Sequence, residues 1–139
     1  MKIVLDTNVL ISGIFWGGTP FRIVEHWISD DIEIIATPDI LNEYVRVVSS
    51  VGKKQTELVT QWIDLITTNT AIIEKQISLS ISRDPDDDKF LECAVSGDAD
   101  FIVSGDDDLL TLKSIHAIPI IKPSELISKY FSSHRQLKN

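Results

Sequence analysis

Hydrophobic and polar residues follow one another along this chain in a pattern that predicts strands and helices in turn. Short continuous apolar runs are typical of strands buried on both faces of a parallel sheet. Between them, apolar positions recur three or four residues apart, which indicates amphipathic helices. We therefore expect a three-layer α/β/α fold around a mostly parallel sheet of about five strands. The predicted strands cover residues 3–5, 32–36, 71–74, 101–103 and 118–121.

Helix starts are marked by capping residues that stand directly before a proline. Thr37 before Pro38 and Asp84 before Pro85 both follow this pattern, in which proline occupies the first helical position. From about residue 38 to 68, two amphipathic stretches are separated by a Gly-Lys-Lys break. The sequence therefore predicts a helical hairpin in the middle of the chain.

The composition indicates a single-domain protein without disulfides or membrane-spanning segments. The 139 residues are expected to form one domain over residues 1–131 and a polar tail over 132–139. The single cysteine, Cys93, excludes an internal disulfide and fits a cytoplasmic location. No stretch is long and apolar enough to span a membrane, so no membrane partner is expected. The formal net charge of −8 argues against a general nucleic-acid coat.

Acidic residues are concentrated in residues 84–108, where nine Asp and one Glu stand against one Lys. Like charges crowded into a folded domain repel one another, so such a segment needs either bound cations or simple solvation. Both explanations are open at this point.

Four carboxylates are predicted to meet at one edge of the sheet, because the carboxyl ends of parallel strands share that edge. Asp6 follows the first strand directly, and Asp106 follows the fourth. Glu43 lies beside the apolar stripe of the helix after the second strand. Asp88 lies in the first turn of its helix, in line with the apolar stripe. Carboxylate oxygens grouped in this way suit Mg²⁺ or Mn²⁺.

Each acid also has an ordinary structural explanation. Asp6 is equally well placed to cap the following helix. Glu43 alone would be an exposed helix residue. Asp84, Asp86 and Asp87 are explained as cap and helix-dipole charges around the proline between them. The joint placement of four acids, rather than any single one, favours a metal site.

Four parts of the chain together resemble the PIN domain family. They are Leu-Asp-Thr-Asn-Val-Leu-Ile-Ser at 5–12, Glu43, Asp-Pro-Asp-Asp-Asp-Lys-Phe-Leu-Glu-Cys-Ala at 84–94, and Asp-Phe-Ile-Val-Ser-Gly-Asp-Asp-Asp-Leu at 100–109. The resemblance covers nearly the whole chain in order. It is greatest to small prokaryotic single-domain PIN proteins described as toxin components of toxin–antitoxin systems.

The resemblance implies a metal-dependent nuclease that cleaves single-stranded RNA with Mg²⁺ or Mn²⁺. It also implies that a small antitoxin protein is a partner. The matching positions are Asp6, Glu43, Asp88 and Asp106 for the acidic metal site, Asp108 for a further acid, and Asn8 and Ser104 for polar supporting residues.

Two alternatives remain beside this interpretation. Lys122-Pro123 resembles the Lys-Pro of response-regulator receiver domains, which are small α/β folds that handle phosphate. That class needs an acidic pair after the first strand and an Asp at the end of the third. Here Asp6 stands alone, and residues 71–76 contain no Asp. A non-catalytic RNA-binding PIN module is the second alternative.

Two further expectations concern contacts with other molecules. Trp16, Arg22, Lys53, Lys54 and Lys89 are candidates to contact RNA near the acidic edge. A homodimer is expected because the helical hairpin carries more apolar surface than one small sheet face covers. The apolar residues concerned are Tyr44, Val45, Val48, Trp62 and Ile66.

Overall fold

The computed structural model describes residues 1–131, so the tail predicted at 132–139 lies outside the described residues. The sheet contains strands β1 (Lys2–Leu5), β2 (Glu33–Ala36), β3 (Ala71–Ile72), β4 (Phe101–Val103), β5 (Ser114–Ile115) and β6 (Ile118–Ile121). Their order is β3-β2-β1-β4-β6-β5, and each neighbouring pair is parallel except β5 with β6. The predicted α/β class with a mostly parallel sheet is confirmed. The short hairpin strand β5 was not predicted.

Helices connect the parallel strands. They are α1 (Thr7–Phe15), α2 (Gly18–Ile28), α3 (Pro38–Val51), α4 (Thr56–Asn69), α5 (Asp88–Gly97), α6 (Asp107–Leu110) and α7 (Pro123–Tyr130). Helices α3 and α4 form the predicted hairpin, and a 3₁₀ turn, Pro85–Asp87, precedes α5. Among the helices of residues 1–131, none combines the length and apolar character needed to cross a membrane.

The central strand β1 fixes the position of the first carboxylate. Ile3, Val4 and Leu5 have no exposed surface, and burying one large apolar side chain contributes about 1.5–3 kcal/mol. Leu5 pairs with Val103 of β4. The N–H of the next residue, Asp6, donates to the carbonyl of Val103 at 3.0 Å. The chain therefore reaches the carboxyl edge of the sheet at Asp6.

The apolar face of the α3–α4 hairpin is covered by the chain's own core. Tyr44, Val48 and Ile66 are fully buried, whereas Val45 and Trp62 are half-buried. The apolar excess on which the homodimer expectation rested is therefore much smaller than the sequence indicated. The Tyr44 hydroxyl also donates to the carbonyl of the last residue of β1, which ties α3 to the carboxyl edge.

An irregular connector, residues 73–82, runs along α5 and is held there through its main chain. Three side chains spaced four residues apart on α5 accept hydrogen bonds from connector amides. These bonds satisfy N–H groups that have no strand partner. The bonds join Ile81 (3.1 Å) and Ser82 (2.8 Å) to Asp88, Leu79 (2.8 Å) to Glu92, and Gln76 (2.8 Å) to Ser96.

Candidate metal centre

Asp6 directly follows β1, caps α1 and is 4% exposed. Its Oδ1 accepts the N–H of Asn8 at 3.2 Å, and its Oδ2 accepts the hydroxyl of Ser104 at 2.6 Å. Burial raises the pKa of Asp6, and the two hydrogen bonds partly oppose that effect. The charges of Asp106 and Glu43 raise it further. The carboxylate is thus buried, oriented and surrounded by like charge.

Ser104 links Asp6 to Asp106 across neighbouring strands. It follows β4 directly and is fully buried. Its hydroxyl donates to Asp6 and accepts the N–H of Asp106 at 2.9 Å. Asp106 in turn caps α6, because its Oδ1 accepts the N–H of Asp108 at 2.9 Å. Both carboxylates are therefore fixed at the same edge of the sheet.

Asp87 is the third carboxyl group at this edge. It is 8% exposed, and its Oδ2 has no hydrogen-bond partner within residues 1–131. Burial is the main cause that raises the pKa of Asp87 to about 7, and hydrogen bonding to Asp106 and the charge of Asp106 add to it. When both groups are ionised, neither can donate, and a buried anion then needs a cation. We call Asp6, Asp87 and Asp106 the inner cluster.

Two adjacent aspartates have surroundings in the structure that the sequence did not predict. Asp87 was explained as a cap or helix-dipole charge and Asp88 as a metal ligand. In the structure, Asp87 lines the cleft beside Asp6, while Asp88 Oδ1 accepts the N–H groups of Ile81 and Ser82 in the connector. The cause is the 3₁₀ turn Pro85–Asp87, whose three residues per turn shift the phase before α5 begins. Asp88 therefore lies on the side of α5 that faces the connector.

Glu43 lies at the rim of the inner cluster and is held by three neighbours. The Thr7 hydroxyl donates to its Oε2. Lys89 Nζ lies 3.0 Å from its Oε1, and the Arg46 guanidinium lies 3.8 Å from the same oxygen. Since Thr7 follows Asp6, these contacts tie α1, α3 and α5 together at the acidic edge.

Acidic groups extend outward from Asp87. Asp84, Asp87 and Asp108 each offer an oxygen atom, and these atoms lie within 4.8 Å of one another. Asp108 Oδ1 also pairs with the Arg83 guanidinium at 2.9 Å, and Asp84 caps the 3₁₀ turn. Asp87 therefore belongs both to the inner cluster and to this outer group, so a cation at Asp87 would have carboxylates on two sides.

Two clefts meet at Asp6. One is lined by Ser12, Pro20 and Pro123, on the side of α1, α2 and α7. The other includes Glu43, Asp87 and Lys89, on the side of α3 and α5. The two clefts therefore open on either side of Asp6.

The five candidate RNA contacts are not equally close to the acids. Lys89 lines the cleft beside Glu43. Trp16 is 71% exposed but lies past the end of α1, about 15 Å along the helix from its start. Lys53 and Lys54 come after the end of α3, and a similar distance along that helix separates them from Glu43. Arg22 is half-buried in α2. These four do not line either cleft within residues 1–131.

A mostly parallel sheet covered by helices, with buried carboxylates at its carboxyl edge, makes this protein an α/β fold with a candidate metal site. The sequence model described as PIN domain matches residues 2–108, and the chain belongs to that family. PIN domains are in general nucleases with acidic metal-binding residues.

Two individual proteins are similar to this chain. The uncharacterized protein MJ1680 of Methanocaldococcus jannaschii is 28% identical over 144 residues, which cover 94% of this chain and 92% of that protein. The crystal structure of VapBC2 from Rickettsia felis, bound to a DNA fragment from their promoter, matches with a TM-score of 0.60. That match covers 88% of this chain and 98% of the other at 17% identity, so it supports the fold.

Proposed function

We propose that this protein is a divalent-metal-dependent endoribonuclease that cleaves single-stranded RNA. The observation that carries the proposal is the convergence of Asp6, Asp87 and Asp106, with one buried Asp87 oxygen that lacks a donor within residues 1–131. Membership of the PIN domain family supports nuclease chemistry at this position.

The inner cluster suits a hard divalent cation. Its ligand atoms are carboxylate oxygens, which Mg²⁺ and Mn²⁺ prefer. The charge of Asp106 raises the pKa of Asp87, so a cation bound between the two carboxylates would offset their repulsion. Asp6 is already oriented by Ser104, which limits the rearrangement needed for binding. Asp108 lies at the outer end of the acidic edge as a further candidate, and Glu43 lies at its rim.

The expected reaction is hydrolysis of a phosphodiester. A bound Mg²⁺ or Mn²⁺ supplies a water of lowered pKa and offsets charge on the phosphate. The inner cluster would hold that ion, while Ser104 and the Asn8 N–H keep the Asp6 carboxylate in one orientation. The two clefts on either side of Asp6 would accept the strand before and after the bond that is cut.

The test is to incubate pure protein with a pool of single-stranded RNAs, with Mn²⁺ or with EDTA, and to map the cut ends. Cleavage is expected with Mn²⁺, and it should stop in EDTA and in Asp106→Asn. Single-stranded DNA of the same sequences serves as the control for RNA specificity. Cleavage that persists in EDTA would contradict the proposal of a metal-dependent nuclease. Binding of RNA without cleavage would favour a non-catalytic module.

We further propose that a small antitoxin restrains the enzyme. The structural similarity to VapBC2, a toxin–antitoxin complex, supports this partner. An antitoxin that presents Arg or Lys to the inner cluster would occupy the place of the cation. Growth arrest on expression, relieved by the neighbouring small gene and absent in Asp6→Asn, is the expected result. Harmless expression of active enzyme would contradict it. A homodimer remains a prediction, tested by light scattering.

A further inference from the structure

The two oxygens of Glu43 are both engaged by side chains of the chain itself. Oε2 accepts the Thr7 hydroxyl, and Oε1 lies 3.0 Å from Lys89 Nζ. In contrast, Asp87 Oδ2 in the inner cluster has no partner within residues 1–131. A metal ion at Glu43 would compete with the Lys89 ammonium for Oε1, whereas no donor within residues 1–131 competes for Asp87 Oδ2.

Lys89 is held at the cleft with one donor to spare. Its ammonium carries three N–H donors. Within residues 1–131 it has two oxygen partners, Glu43 Oε1 and the Asp86 carbonyl at 2.5 Å. Its Nζ also lies 5.0 Å from the centre of the Phe90 ring. The side chain is 18% exposed, so the cation is restrained and still accessible from the cleft.

An RNA strand needs such a cation here. The chain carries a net charge of −8, and the acidic edge repels a polyanion wherever no metal ion is bound. Lys89 is the one cation among the described residues that line the two clefts meeting at Asp6. A lysine ammonium binds phosphate as a point charge, without a fixed geometry.

We infer that Lys89 binds a backbone phosphate of the RNA in the cleft beside the inner cluster, and that Glu43 positions Lys89 instead of serving as a metal ligand. The inference rests on the proposed RNA cleavage, because it assigns the substrate contact of that same site. Thr7 then holds Glu43, Glu43 holds Lys89, and the third donor of Lys89 is available to the strand.

Metal binding tests the assignment of Glu43. Mn²⁺ is titrated by calorimetry into the wild-type protein, Glu43→Gln and Asp87→Asn, without RNA. Glu43→Gln is expected to change the Mn²⁺ Kd by less than about threefold, while Asp87→Asn weakens it about tenfold or more. A loss in Glu43→Gln as large as that in Asp87→Asn would make Glu43 a metal ligand and overturn the inference.

RNA binding tests Lys89. Anisotropy of a labelled single-stranded RNA is measured in millimolar Ca²⁺, and gels verify that the RNA stays intact. Lys89→Met should weaken binding about tenfold and make the salt slope about 0.7 less negative, as expected for one lost phosphate contact. Lys89→Arg should retain most of the affinity. Lys129→Met, at an exposed lysine of α7, is the matched control and should change little.

A double-mutant cycle tests whether Glu43 acts through Lys89. Glu43→Gln should weaken RNA binding when Lys89 is present. In the Lys89→Met background it should leave binding unchanged or tighten it, because an unpaired anion is removed. RNA binding unaffected by Lys89→Met, or Glu43→Gln effects of the same size in both backgrounds, would overturn the inference while leaving a metal-dependent nuclease intact. Wild-type protein that binds neither Mn²⁺ nor RNA would remove both proposals together.

Discussion

Asp87 and Asp88 are adjacent, chemically identical and almost equally buried, at 8% and 7% exposure, yet their surroundings are opposite. Asp88 Oδ1 accepts two backbone N–H groups, which stabilise its charge. Asp87 Oδ2 has no donor within residues 1–131, and the group faces Asp106. Burial alone therefore does not distinguish these two carboxylates. The supply of hydrogen-bond donors does.

The largest expected difference between the pair is in catalysis. Asp87→Asn should lower RNA cleavage about a hundredfold or more, or at least ~2.7 kcal/mol in the barrier, because the amide keeps the shape and loses the charge. Asp88→Asn keeps an acceptor for the connector and should stay within about threefold of wild type. Initial rates on a labelled RNA in Mn²⁺ measure both. Equal losses would remove the distinction between the two aspartates.

The next largest effect is expected in stability and falls on Asp88. Asp88→Ala leaves two connector N–H groups without their acceptor, which should cost about 2–3 kcal/mol in the free energy of unfolding. Asp88→Asn should recover most of that loss, because its carbonyl oxygen still accepts. Urea denaturation in EDTA gives the values. A loss in Asp88→Ala no larger than that in Asp88→Asn would show that these bonds contribute little.

Metal binding should stabilise the fold through Asp87 and not through Asp88. At a free Mn²⁺ concentration ten times the Kd, mass action adds about 1.4 kcal/mol to the free energy of unfolding. The melting temperature of the wild-type protein and Asp88→Asn should therefore rise, and that of Asp87→Asn should rise much less. Na⁺ at matched ionic strength is the control for screening. A full Mn²⁺ response in Asp87→Asn would place the ion elsewhere.

The smallest effect concerns pH in the metal-free protein. The pKa of Asp87 is about 7 in the fold against an ordinary 3.8, so the fold favours its protonated form. The associated stability is present below about pH 4 and is lost as the pH rises through 7. Asp87→Asn is always neutral and should be about 1 kcal/mol more stable than wild type at pH 8, with no gain near pH 4.

Urea denaturation at the two pH values, in EDTA, provides this comparison, and Asp88→Asn serves as its control. If Asp87→Asn were less stable than wild type at both values, the Asp87 carboxylate would not be under the repulsion described.

The positions of Asp6 and Asp106 could be predicted because each directly follows an apolar run that must be a buried strand. Asp87 could not be predicted by the same reasoning. Three aspartates follow one another in residues 86–88, and only the 3₁₀ turn decides which of them faces the cluster. Helical periodicity, applied as if the helix began directly after Pro85, selects Asp88 as the residue that faces the cluster. The connector provides the donors for Asp88, and its sequence has no hydrophobic periodicity from which its path could be predicted.

The strand β5 was missed for a related reason. Its hairpin turns at His116 and Ala117, which both have positive φ angles of 47° and 67°. Such turns are normally marked by Asn or Gly, because other residues adopt positive φ at a cost. Neither residue type is present in this turn, so the sequence contains no signal for the hairpin.

The hydrogen bonds that hold the connector on α5 also limit how far the connector's own sequence determines its path. Because α5 holds its main chain, the residue types at positions 76, 79, 81 and 82 are nearly interchangeable as far as these bonds are concerned. Proline is the exception, since it has no N–H to donate. As far as these bonds are concerned, relatives could therefore diverge at the four positions while the segment keeps its course, provided that Asp88, Glu92 and Ser96 or equivalent acceptors remain.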